Sequence, residues 1–152
     1  MALQFLIGSI VTAITIMIHA LVTVGAIRIA RQAGLKHTTR PQLHLIAVMV
    51  KVAVVLVVAH TLEVVAWALT YAAVGAAPEE SGFLYFAFVN YTTLGYGDIV
   101  PLRSWRLIGP MTAMNGVLMF GWSAAVLFEV LRKTLDHLVA IGAPGFNSED
   151  RD

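Results

Sequence analysis

Cysteine is absent from the 152 residues, so disulfide staples and thiolate metal sites are both excluded. Charge is scarce as well. Aspartate, glutamate, lysine and arginine make up 12% of the chain, about half of what a soluble domain uses to cover its surface. A net charge of +1 with no basic run gives nucleic acid nothing to hold. What fills the space is apolar: 59% of residues are hydrophobic and the mean hydropathy is +0.81. Such a chain belongs in a bilayer, as one compact unit.

Three stretches are long enough to cross a hydrocarbon core, which takes about 20 residues. They cover 3–27, 43–74 and 107–131. The first has no lysine or arginine ahead of it and is longer than the apolar core of a secretory signal, so it reads as a retained span. The second exceeds the need and is expected to tilt or protrude; Pro41 stands just before it, a residue suited to a helix's first turn. Residues 81–101 are moderately apolar, too short and too rich in glycine to cross, and read as a re-entrant segment.

Arg28, Arg31, Lys36 and Arg40 occupy the first connection without an acid, and Arg132 and Lys133 follow the third span. By the positive-inside rule both places are cytoplasmic. The amino terminus then lies outside, the re-entrant segment enters from outside, and the carboxyl terminus is inside. Glu79, Glu80 and Asp98 fall on the outer side, although Arg103 and Arg106 join them there.

Within the re-entrant segment, Thr92-Thr93-Leu94-Gly95-Tyr96-Gly97-Asp98 carries the chemistry. Glycine reaches positive φ without steric cost, which lets a short backbone turn its carbonyls toward one line. Gly-Tyr-Gly alone occurs in ordinary loops. Two threonines before it, an aspartate after it and a span on either side make it specific. The segment resembles the selectivity filter of potassium channels, usually written TVGYGD, with Leu94 where valine is usual. Over 43–133 the order outer helix, pore loop, inner helix resembles that family, and the first span is additional.

The resemblance implies an all-α membrane protein: three transmembrane helices, a re-entrant pore helix and a filter loop, assembled as a homotetramer. It divides the chain into an extra helix (1–27), a cytoplasmic linker (28–42), the pore domain (43–133) and a short cytoplasmic tail (134–152). Carbonyls of Thr93, Leu94, Gly95 and Tyr96, with the Thr93 hydroxyl, would bind dehydrated K+. Thr92, Gly97 and Asp98 would support the filter and its outer mouth, with Tyr96 braced against the pore helix. That helix is expected from a Ser81 cap to about Thr92, with its carboxyl end aimed at the membrane centre. Tyr85 and Phe86 stand where many members have tryptophan, and Val89 where some have a buried glutamate. In the third span Gly116 aligns with the glycine at which inner helices bend. Val117, Phe120, Ala124 and Phe128 share a helical face; it is expected to line the pore, with Phe128 as a constriction, while plain helix packing is the simpler account of the stripe. Glu129 is spaced to pair with Arg132 or Lys133.

A second polar group lies away from this motif. Ser9, Thr12, Thr15, His19 and Thr23 recur every three or four residues of the first span, and His60 and Glu63 sit one turn apart in the second. Antiparallel spans bring Thr12, Thr15 and His19 level with His60 and Glu63. A hydrogen-bonded cluster that locks the first span and could titrate is one reading; static polar packing is the other. His60 and Glu63 alone are too few for a metal site.

The expected activity is passive K+ conduction through a tetramer in the plasma membrane, with lipid and K+ as partners, no nucleic acid, no cofactor and no catalysis. The competing expectation is a channel-like sensor or accessory subunit that conducts little. No arginine ladder suggests a voltage sensor, and the tail, marked by Gly142, Pro144 and Gly145, is expected to be loop-like.

Overall fold

A computed structural model describes residues 1–33, 40–78, 82–143 and 145–146. Four α-helices carry the fold: α1 (Ala2–Ala33), α2 (Pro41–Val74), α3 (Phe83–Tyr91) and α4 (Ile108–Ala140). No strand occurs among the described residues. Ala2–Gln32, Pro41–Val74 and Arg103–Ala140 are each long and apolar enough to cross a membrane. The protein is an integral membrane protein.

The helices form where the sequence leaves them uninterrupted, and their ends have local causes. Proline opens α2 at its first position, where a missing N–H costs nothing. Gly75, at φ 61°, closes it; the N–H groups of Gly75 and Ala76 return to the carbonyls of Ala72 and Tyr71. The start of α4 is capped by another helix: the Gln4 side chain of α1 accepts from Leu107 N–H at 2.9 Å and donates to the Ser104 carbonyl. Leu102 N–H reaches the Ala76 carbonyl at 2.8 Å, so the segment leading into α4 is tied to the end of α2.

Three boundaries differ from the sequence expectation, the first being that of α1, which continues past Ile27 to Ala33. α4 runs on through Thr134 to Ala140, so the tail is helical at its start. Thr134 and fully buried Leu138 keep the buried stripe of α4 going past the charged turn at Arg132 and Lys133, and the helix ends at Ala140, two residues before Gly142 at φ 62°. At the third, α3 begins at Phe83 with Gly82 (φ 64°) in the cap position, and no side chain caps it. Ser81, Glu79 and Glu80, from which a capped start was expected, lie outside the described residues, as does Lys36.

α1 packs on α2 and α4, and α3 lies between α2 and α4. The larger core joins Val64, Trp67 and Tyr71 of α2 with Phe86 and Tyr91 of α3 and Ile108 and Met119 of α4. A second core, nearer the ends that carry Arg31 and Lys133, joins Ala26, Val48, Leu56, Val126 and Val130. Leu3, Leu6, Ile10 and Leu21 of α1 and Leu43, Val50, Val54 and Leu69 of α2 are exposed. On these outward faces the helices expose hydrocarbon where lipid takes the place of a core.

Candidate functional site

The segment after α3 is held by its helix and then let go. Thr92, Thr93 and Leu94 donate their N–H groups to the carbonyls of Phe88, Asn90 and Val89 at 2.9–3.0 Å. From Thr93 on, the backbone takes positive φ at every second residue: Thr93 59°, Gly95 59° and Gly97 79°. In an extended strand successive carbonyls alternate sides. Turning alternate residues to the left-handed region lets them share one side. For Thr93 this is unusual, since a β-branched side chain at positive φ is strained by roughly 1–3 kcal/mol.

Residues 92–98 are all exposed in the single chain. Leu94 is 52% and Tyr96 70% exposed, so the brace expected from Tyr96 to α3 is not what holds the segment within one chain. Another tyrosine supplies the strap. Tyr85 O–H donates to Asp98 Oδ2 at 2.7 Å, which fastens the far end of the segment back to the first turn of α3. Donation to that carboxylate raises the Tyr85 phenol above its ordinary value.

α4 crosses behind this segment at Gly116. A Cβ there would lie 1.9 Å from the Tyr91 carbonyl oxygen, so only glycine admits the approach. Gly116 is therefore buried against α3, while Val117, Phe120, Ala124 and Phe128 share an exposed face of α4. Phe120 also meets His60 at a tilt and Tyr91 edge-on, with ring centroids at 4.7 and 5.5 Å.

Besides the buried pair of hydroxyls of Tyr71 and Thr112, the polar side chains of the spans meet in two buried groups. In one, Trp67 Nε1–H and the Thr15 hydroxyl approach Asn115 Oδ1 at 2.9 and 3.0 Å. In the other, His19 Nδ1 lies 2.8 Å from Glu63 Oε1, and Tyr91 O–H donates to Glu63 Oε2. His60 Nδ1 is 3.0 Å from the Tyr91 hydroxyl, and His60 Nε2 is 2.9 Å from Ser123 Oγ. Ser123 Oγ also faces His19 Nε2, at 3.4 Å. His19, His60 and Glu63 are thus brought together as their spacing suggested. Thr15 belongs to the Asn115 group, and the Thr12 hydroxyl is buried with no partner among the described residues.

Sequence reasoning missed Tyr91, Ser123, Asn115, Trp67 and the Tyr85 strap. A signal existed for part of this: Thr112, Asn115, Met119 and Ser123 follow helical spacing, and all are buried. Tyr91 and Tyr85 carried none, because their partners are far away in sequence.

His19 adds a third donor to His60 and Glu63, and one ligand atom from each lies within 4.8 Å of the others. Ligands of one tetrahedral zinc stand about 3.3 Å apart, given bonds of about 2.0–2.1 Å. At 2.8 Å, His19 and Glu63 are bonded to each other instead.

A short helix and an exposed segment with positive φ at alternate residues, packed among three helices long and apolar enough to cross a membrane, define the class: an integral membrane protein. The profile of the ion channel family matches residues 45–133. The chain belongs to the ion channel family. Neither the curated proteins nor the solved structures contain a match.

Proposed function

We propose that this chain is the subunit of a K+-selective channel in which four copies surround one conduction path, passing K+ down its gradient. The observation that carries this reading is the segment 93–97, with positive φ at Thr93, Gly95 and Gly97, fixed at the carboxyl end of α3 and strapped by Tyr85 to Asp98. Carbonyls of Thr93, Leu94, Gly95 and Tyr96 replace the hydration shell of the ion, and the Thr93 hydroxyl completes the innermost site. Thr92, Gly97 and Asp98 support the loop.

One loop cannot surround an ion. Closed rotational symmetry supplies the remaining ligands, and it also covers Leu94 and Tyr96, which a single chain leaves bare. α3 then acts as pore helix, its carboxyl end directing partial negative charge at the waiting cation. The exposed face of Val117, Phe120, Ala124 and Phe128 lines the inner path, with Phe128 at its narrowest point. Arg28, Arg31, Lys133 and the carboxyl end face the cytoplasm, in a plasma membrane.

Purified protein reconstituted in liposomes is the test. K+ efflux with Na+ excluded is the expected outcome, and Phe128→Ala raises flux if the resting pore is shut. Equal passage of Na+, or no flux from either parent or variant, overturns the proposal.

A further inference from the structure

The group around Glu63 is a closed ring. It runs from Glu63 Oε1 to His19 Nδ1, across the imidazole to Nε2, on to Ser123 Oγ, to His60 Nε2, through that imidazole to Nδ1, to the Tyr91 hydroxyl and back to Glu63 Oε2. Five hydrogen bonds close it, and each needs one hydrogen. Two neutral imidazoles, a serine, a tyrosine and a carboxylate bring only four. The ring is one hydrogen short and carries one buried negative charge; His19 and Glu63 are fully buried.

We infer that this ring is a binding site for one proton, held in common by His19 and His60 and bridged by Ser123. Its place follows from the donors. An ionised Glu63 can only accept, so Tyr91 O–H and His19 Nδ1–H both donate to it. Tyr91 has then spent its hydrogen, so His60 Nδ1–H donates to the phenol oxygen. Both imidazoles present Nε2 to one hydroxyl, which can donate to one of them only. The added proton sits on the other, as Nε2–H to Oγ. When Oγ takes the Nε2 hydrogen of one ring as its own hydrogen passes to Nε2 of the other, the charge moves between the two rings, and in either form it balances the carboxylate.

Every helix contributes: His19 from α1, His60 and Glu63 from α2, Tyr91 from α3 and Ser123 from α4. These are the titratable groups that face the ring. Ser123 on α4 adds a hydroxyl only, and no lysine, arginine or aspartate among the described residues forms an ion pair with it. Loss of the proton leaves one Nε2 facing an oxygen with no hydrogen between them, so the ring opens at Ser123 and α4 loses one of its two ties to the ring. Tyr91, whose carbonyl is packed on Gly116, passes the change to the end of α3. The site is thereby a proton-operated link between the first span and the conduction loop. The proton count needs no assumption about which ion passes.

The test is nitrogen NMR of the full chain in liposomes with labelled histidine, together with carbon NMR of labelled glutamate. At pH 7 the His19–His60 pair is expected to carry one imidazolium charge per chain beside an ionised Glu63. Glu63→Gln provides the second arm. Its amide supplies the missing hydrogen, so all five bonds close with neutral rings, and the imidazolium signal disappears from a folded protein. Flux in the parent then changes over the pH range in which that signal is lost, and the Glu63→Gln profile is flat. Two neutral imidazoles, whether Glu63 is ionised or protonated, or one Zn2+ retained per chain after zinc is added and washed out, overturn the proton site. Identical flux profiles in parent and variant overturn the link.

Discussion

Replacing Gly116 with alanine tests the packing on which the loop depends. The new methyl carbon would stand 1.9 Å from the Tyr91 carbonyl oxygen and 2.9 Å from its carbon. Carbon and oxygen in contact keep about 3.3–3.6 Å, so α4 or the end of α3 has to retreat by about 1.5 Å. Neither atom belongs to a flexible side chain that could swing aside. The Tyr91 carbonyl is main chain at the last residue of α3, and the segment 92–98 begins immediately after it. Overpacking of this kind costs about 1–3 kcal/mol, and the displacement falls directly on Thr92 and Thr93. The expected outcome is a lower melting temperature in detergent together with lost or unselective flux. Gly25→Ala in α1 is the control: nothing lies within 4 Å of its added carbon, and helix propensity favours alanine by up to about 1 kcal/mol. A Gly116→Ala protein with parental stability and selectivity would mean that α4 does not press on α3 as described.

Tyr85→Phe removes the strap to Asp98, and flux through the variant should decay during sustained recording while the parent holds. Because the carboxylate raises the Tyr85 phenol, the strap is complete below about pH 10 and is lost only as pH climbs through the raised value; a 295 nm absorbance titration of parent minus Tyr85→Phe reads that shift. Asn115→Ala leaves the buried Trp67 N–H without an acceptor, a loss of about 1–3 kcal/mol measurable by thermal denaturation in detergent. Glu63→Ala strips the two histidines of their carboxylate and should cost about 3–5 kcal/mol, clearly more than Glu63→Gln in the same melt.

The spans were legible because apolar runs of that length have one solution in a bilayer, and Pro41 and Gly75 mark α2 at both ends. Where α4 would stop was less visible. Arg132 and Lys133 look like a membrane boundary, yet a helix needs only continued burial, which Thr134 and Leu138 supply. The loop 93–98 could be picked out by residue type, since positive φ and glycine go together at Gly95 and Gly97; Thr93 at 59° could not be. His19, His60 and Glu63 were found through helical spacing and antiparallel spans. Tyr91 and Ser123 were missed because the ring closes between helices, and no periodicity within one helix reports a partner in another. Gly116 shows the same limit: its sequence position suggests a bend, and only packing reveals the Tyr91 carbonyl against it.

Diffraction from crystals of the assembled protein grown in Tl+, a scattering substitute for K+, tests the central claim most directly. A row of anomalous peaks on a four-fold axis, each between carbonyls of Thr93, Leu94, Gly95 and Tyr96, is the predicted result. Loops that face away from any symmetry axis, with no peaks beside them, would contradict it.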